Sequence, residues 1–562
     1  MNLKAIPFYL NDDDIEWVYN TLSHMSDEEK VGQLFCLAIE DCSCSDILDG
    51  KFSVCVPGGI MYRPNPLDAI VSFSNTVNGK AAIPLLIAAN LENGGSGVSE
   101  DGSVFGVQLQ VSATDDVLYS KYLASVCSEE GMSMGVNWNF APVVDLDLNY
   151  LNPLTNKRTF GSDTRRVAEM SEAYLKTIQS MGMASAIKHF PGDGFDSRAQ
   201  HKHPTINGLT IEGWDETYGV VYRKCIDAGV LSVMVGHILM PEYSRKLNDK
   251  VDDTDILPAS LAPELMDGLL RKKLGFNGLI VTDSTLMAGF SALMPRKTAL
   301  PYSIASGADM LLFARNFKED FNFVRDGLKN GLITKERLDE AVTRILALKA
   351  ALKLHRHITV FSAEHAREKI AAENHKFWAQ ECAAKAVTLV KEETGVLPIT
   401  PKRYPRILYF PVEPDYSEAG NQFEQILADE GFLVHRVNPD LANEGLYFTN
   451  SSVYASEHYD LILYLMNVNF LRSDLAQPGV EFWPHYLTEI PTVMVSVACP
   501  YHLSDYPRLC TYINAYHSSI YALNAVVDRL MGRMPFTGVS PSDPFCGKWD
   551  TKLQLPKSYR LR

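Results

Sequence analysis

Short apolar, β-branched runs recur through the first part of the chain, each followed by a stretch long enough for a helix. The runs fall at Val31–Ala38, Gly58–Tyr62, Pro84–Ala89, Asn137–Val144, Ala184–Phe190, Leu231–His237, Gly278–Thr282 and Asp309–Phe313. The first is the weakest strand, because Ser26-Asp27-Glu28-Glu29 reads as a capping box that opens a helix. Between the runs apolar residues step at helical spacing, as in Arg165–Ser180 with Val167, Met170, Ala173, Leu175 and Ile178. Strands alternating with helices imply parallel pairing, and this number of repeats predicts an α/β fold with a closed (β/α)8 TIM barrel rather than an open sheet.

After Phe313 the pattern turns helical through Thr334–Leu354 and Asn374–Val390, and Glu393-Thr394-Gly395-Val396-Leu397-Pro398 reads as a turn. A second alternating pattern follows. Its strands are expected at Arg406–Phe410, Phe432–Arg436, Asp460–Leu465, Thr492–Val497 and Cys510–Ala515, with helices such as Ala419–Glu430 and Ser519–Met531 between them. The reading divides the chain into a barrel domain over residues 1–375 and a C-terminal domain with an open, mostly parallel sheet over residues 376–562.

Composition narrows the function. The 562 residues are 46% hydrophobic and 21% charged, ample for cores and incompatible with a disordered or collagen-like chain. Lys+Arg 52 against Asp+Glu 68 leaves a net charge of −16, which argues against nucleic acid or an anionic membrane as the main partner. Of 10 cysteines only Cys42 and Cys44 lie close together, and no paired Cys/His spacing occurs, so neither a zinc site nor a disulfide framework is expected. The first residues lack the apolar core of a signal peptide, and no window holds 18 uninterrupted apolar residues. The expected setting is a soluble, reducing, cytoplasmic one.

Several runs end in polar residues: Asn90 and Glu92, Asp145, Lys188 and His189, His237, Asp283. In a parallel barrel these ends share one rim, where chemistry is built. The densest segment is Lys188-His189-Phe190-Pro191-Gly192-Asp193-Gly194, whose glycines and proline set a tight loop. The polar stretch Phe195–Pro204 follows, with His201 and His203 two apart; as a metal pair they lack a third ligand at a characteristic spacing. Phe276–Ser284 delivers a single carboxylate, Asp283, which by itself could equally cap a following helix.

Taken together these segments resemble glycoside hydrolase family 3, in its β-N-acetylhexosaminidase branch. The resemblance rests on the Lys188–Gly192 run and the strand ending in Asp283, with support from Asn139–Asp145, Lys157–Asp163, Leu257–Leu261, Ala305–Asp309, Ala386–Lys391 and Gly538–Pro541. It implies a TIM barrel followed by a C-terminal α/β sandwich domain. It also implies that Asp283 is the nucleophile and His201 the general acid/base, with Arg158, Lys188 and His189 binding sugar hydroxyls and His237 within hydrogen-bonding reach.

Two positions depart from the family pattern. Relatives carry Asp two residues before the acid/base histidine, where this chain has Ala199; many also carry Asp where this chain has Asn90, ahead of Glu92. A missing orienting carboxylate predicts slowed turnover, by analogy with the roughly 10⁴-fold loss in a serine-protease triad. Asp193 or Asp196 could supply the carboxylate from another point on the loop, and His203 is the fallback acid. Asp145 and Met287 are expected to support the site rather than react. Glu418, Glu424 and Glu430 of the second domain stay open as acids by spacing.

The resemblance therefore implies a retaining exo-glycosidase that removes terminal β-linked N-acetylhexosamine, with N-acetylglucosamine the first choice. Phosphorolysis, β-glucosidase activity and a non-catalytic sugar-binding protein remain alternatives. A carbohydrate substrate and no metal or organic cofactor are implied, and a homodimer is left open.

Overall fold

The computed structural model describes residues 1–43, 50, 52–356, 359–370, 372–393, 395–414, 417–437, 456–469 and 489–553. Cys44 and Thr394 lie outside the described residues. By its contacts the chain divides into two compact units. One comprises Met1–Phe105, Ser120–Thr155 and Asp163–Lys376; the other comprises Gly106–Tyr119, Asn156–Ser162 and Phe377–Arg562.

The first unit is a closed barrel of eight parallel strands: β1 (Phe35–Ile39), β2 (Gly59–Tyr62), β3 (Leu86–Ala89), β4 (Trp138–Asn139), β5 (Ala184–Phe190), β6 (Ser232–Val235), β7 (Leu279–Ser284) and β8 (Met310–Leu312). Neighbours follow chain order around the ring, and β8 closes on β1 through Phe35 opposite Leu311. Every residue of β5 and β7 is buried, as expected of strands sandwiched between a filled interior and an outer layer of helices.

Two expectations needed correction here. Val31 is not in a strand: Ser26 caps a helix over Asp27–Gln33, with Glu29 returning the bond to the Ser26 amide, and β1 begins only at Phe35. The predicted strand over Asn137–Val144 shrinks to Trp138–Asn139. Pro142 has no N–H to give a ladder, so the chain leaves the sheet and meets the backbone of β5 again at Val143 and Val144, both opposite Lys188. That detour carries Asp145 over the end of β5.

Among the described residues, the second unit has six strands: β9 (Thr388–Lys391), β10 (Arg406–Val412), β11 (Leu433–Arg436), β12 (Leu461–Met466), β13 (Thr492–Ser496) and β14 (Thr511–Asn514). Their order is β9-β14-β13-β12-β10-β11, parallel throughout except where β9 meets β14. Leu463, Val495 and Ile513 pack with the helices Ala419–Asp429 and Ile520–Leu530, while Ile462, Tyr464 and Met494 fill a separate core. The helix expected to reach Val390 stops at Ala386, because Thr388–Lys391 pairs with β14 instead.

The partition is also less simple than one cut near residue 375. Gly106–Tyr119 joins the second unit through Val107, Leu109 and Ala113, packed with Ala386 and Tyr516, and through the Gln110 amide on the Ala515 carbonyl. Asn156–Ser162 joins it through Asn156 to Cys499 and the Ser162 amide to Pro541. Both are insertions whose buried partners are remote in sequence. Among the described residues, no helix is long and apolar enough to cross a membrane.

Candidate active site at the barrel rim

Asp283 is the fifth residue of β7 and only 6% exposed. Its Oδ1 accepts the Ser284 amide at 2.7 Å, and its Oδ2 lies 3.8 Å from His189 Nε2. It does not cap the helix that follows, which starts after Met287. Burial pushes the Asp283 carboxyl up, but His189, His237, the Ser284 amide and Lys188 outweigh it and hold the group below its ordinary value. The carboxylate is therefore ionised at neutral pH, as a nucleophile requires.

Lys188 and His189 sit near the end of β5, and the Lys188–His189 and Phe190–Pro191 peptides are both cis. Lys188 Nζ donates to Glu92 Oε1 at 2.6 Å and to Asn90 Oδ1 at 3.2 Å. The Asn90–Glu92 loop is held by Asn139 of β4, whose Oδ1 accepts the Leu91 amide at 2.9 Å. Asn139 Nδ2 donates to the Tyr174 hydroxyl, which donates on to the Leu91 carbonyl. A polar residue inside an apolar strand is the sequence signal for Asn139, whereas Tyr174 carries none.

Asp145 organises the β5 loop. Its Oδ1 accepts the amides of His189 (3.0 Å) and Asp193 (2.8 Å), and its Oδ2 accepts His189 Nδ1–H at 2.7 Å. The His189 ring is thereby fixed with Nε2 toward Asp283. Gly194 has φ +104°, and a Cβ there would collide with the Leu146 carbonyl, so the loop requires glycine. Burial first, and then the Asp145 charge, push the Asp193 carboxyl up to about 6. Asp193 accepts from Asn152, the Gly194 amide and Gln200.

His237, just past β6, is fully buried. Its Nδ1 pairs with Ser260 Oγ at 2.8 Å and its Nε2 donates to the Ser284 carbonyl at 3.0 Å. Burial holds the imidazole below its ordinary value against the pull of Asp283. Both ring nitrogens thus bond to protein, and the ring braces the backbone directly after Asp283.

The segment with His201 is a tight turn in which Ala199 O accepts the amides of Lys202 and His203. His201 and His203 are exposed, Ala199 is half-buried and Gln200 is buried between them. The His201 carbonyl accepts the Ala288 amide at 3.2 Å, which ties the turn to the segment just after Asp283. His201 also adds to the positive charge that depresses His237. Asp196 bonds to Arg198 and to the Ile206 amide. The acceptor atoms of Asp193 and Asp196 thus serve loop contacts.

Arg158 is half-buried in the second unit, in the Asn156–Ser162 segment. The glutamates left open as acids have local partners there: Glu418 with Asn421, Glu424 with Arg436, and Glu430 with Arg533. Among the described residues, no group of three or more His, Cys, Asp or Glu side chains could hold a metal ion.

Residues 27–348 match the family model described as "Glycosyl hydrolase family 3 N terminal domain". The chain is 45% identical over 567 residues to a "Beta-N-acetylglucosaminidase/beta-glucosidase" of Cellulomonas fimi, covering 98% of this chain and 100% of that protein. Among solved structures, "Beta-glucoside phosphorylase BglX bound to 2FGlc" superposes with a TM-score of 0.90 at 40% identity, over 97% of this chain and 99% of that one. A family 3 β-N-acetylglucosaminidase from Paenibacillus sp. str. FPU-7 shares the fold at TM-score 0.80 and 22% identity, over 93% and 100% of the two chains. With this barrel, this rim and these similarities, the chain belongs to glycoside hydrolase family 3.

Proposed function

We propose that this chain is a retaining, exo-acting β-glycoside-cleaving enzyme that works through a glycosyl-Asp283 intermediate on terminal β-linked N-acetylglucosamine or glucose. The observation that carries the reading is a buried, ionised Asp283 on the same barrel rim as Lys188, His189, Glu92 and Asn90. Such a rim offers one nucleophile and several fixed donors and acceptors for sugar hydroxyls. In the first step Asp283 attacks the anomeric carbon while the His201 imidazolium gives its proton to the departing glycosidic oxygen. In the second, neutral His201 takes a proton from water as its oxygen attacks the same carbon, and the Asp283 carboxylate leaves. The name of the Cellulomonas fimi relative supports both sugars.

The test is to inactivate the enzyme with a 2-deoxy-2-fluoro glycoside and locate the adduct by peptide mass spectrometry. A sugar on Asp283 supports the proposal. An adduct elsewhere, or an oxazoline formed from the substrate's own acetamide, refutes it.

Phosphate in place of water is a second reading, favoured by Ala199 and by the phosphorylase name of a 40%-identical structure. A neutral histidine base beside an alanine does not repel a phosphate dianion as a carboxylate would. Phosphorolysis predicts sugar 1-phosphate and a rate that rises with phosphate. Free sugar alone, at a rate indifferent to phosphate, excludes it.

A further inference from the structure

Gln200 has no part in the reading above, yet it is 1% exposed and stands next to His201 in the chain. Its side-chain amide bridges two loops of the rim. Nε2 donates to Asp193 Oδ2 at 3.3 Å, on the loop after β5, and Oε1 accepts the His237 amide at 2.9 Å, just past β6. The backbone is seated as closely on the third side. A Cβ added at Gly289 would collide with the Gln200 carbonyl, and the next carbonyl, that of His201, accepts the Ala288 amide. The turn is therefore tied to the ends of three consecutive barrel strands, the last of which carries Asp283.

The amide has one workable orientation. The His237 N–H can only donate and an Asp193 carboxylate can only accept, so oxygen and nitrogen cannot exchange places. Adjacent Cα atoms are about 3.8 Å apart, so a shift of the Gln200 clamp passes directly to His201. Ala199 brings no polar side chain to the turn. We propose that Gln200 is the positioning residue of the acid/base histidine, locking the His201 turn against the β5 and β6 loops by its two amide hydrogen bonds. The inference rests on the assignment of His201 as acid/base.

Leaving-group dependence tests it, because a dinitrophenolate departs without a proton and an alkoxide or methylphenolate does not. Wild type, Gln200→Ala, Gln200→Glu and His201→Ala are compared in kcat/KM on both substrate types. Rates are divided by the active fraction titrated with the 2-fluoro glycoside, so misfolded protein does not count. The expected result is a loss of roughly 10²-fold or more on the poor leaving group and only a few-fold on the dinitrophenyl glycoside for both Gln200 variants, parallel to but smaller than that of His201→Ala. Glu at 200 fails because it sets a second carboxylate against Asp193. Equal losses on both substrates, or none on either, overturn the positioning role. If His201→Ala itself shows no leaving-group selectivity, it is the acid/base assignment that falls.

Discussion

Replacing Asp145 by asparagine isolates what its charge does, since the shape is kept. Oδ1 must stay facing the His189 and Asp193 amides, because the rotated side chain would set an NH2 against two N–H groups. The new NH2 then meets His189 Nδ1, and the ring must change tautomer, with its proton on Nε2 beside Asp283. Three hydrogen bonds to a carboxylate become neutral ones, each weaker by about 1 kcal/mol. A total of about 3 kcal/mol is the expected loss of folding stability, and the wrong His189 tautomer facing Asp283 predicts a fall in kcat/KM on the order of 10². A second readout comes from Asp193. Its carboxyl is raised from 3.8 to about 6 by burial first and by Asp145 second, which corresponds to about 3 kcal/mol. The folded chain holds that proton more tightly than the unfolded chain, so the destabilisation is absent below about pH 4 and complete above about pH 6. Asp145→Asn should flatten this loss of stability on raising the pH, measured by denaturant titration across that window. Wild-type kcat/KM together with an unchanged pH profile would refute the argument that Asp145 sets both His189 and Asp193.

Three further outcomes are expected. Ala199→Asp should raise turnover of poor-leaving-group glycosides at least tenfold if an orienting carboxylate is all the site lacks; no rise would favour a sugar-binding protein over an enzyme. Asp309→Asn strips the carboxylate from Arg271, Arg337 and Arg344 just before β8 and should destabilise the barrel by about 3–5 kcal/mol, seen in limited proteolysis and thermal melting; a change below about 1 kcal/mol would contradict the count of stranded charges. Lys349 is fully buried on Gln33, and burial lowers its ammonium from 10.5 to about 7. Because the unfolded chain binds that proton more tightly, stability should rise with pH between about 7 and 10.5, and Lys349→Met should remove the slope and stabilise the fold at pH 7 by up to about 4 kcal/mol. A variant that keeps the wild-type slope would show that another group causes it.

The primary structure determined the two α/β patterns and therefore the barrel, because parallel strands buried on both faces are written as predominantly apolar runs, as Val233–Val235 of β6 and Leu279–Val281 of β7 are. It also marked the rim, since Asn90, Glu92, Asp145, Lys188, His189 and Asp283 each interrupt or end an apolar run. Which of these touch was decided only by the ring closing. Lys188 meets Glu92 across 96 residues and His189 meets Asp145 across 44, and no local pattern encodes such pairs. Tertiary structure alone drew Gly106–Tyr119 and Asn156–Ser162 out of the barrel sequence and into the second unit, and turned Thr388–Val390 from helix end to edge strand, because burial against distant partners outweighs local preference. It alone, too, engaged both nitrogens of His237 with protein and gave Gln200 its two partners: a hydrogen bond needs donor and acceptor within about 3 Å, and only the folded chain brings them there.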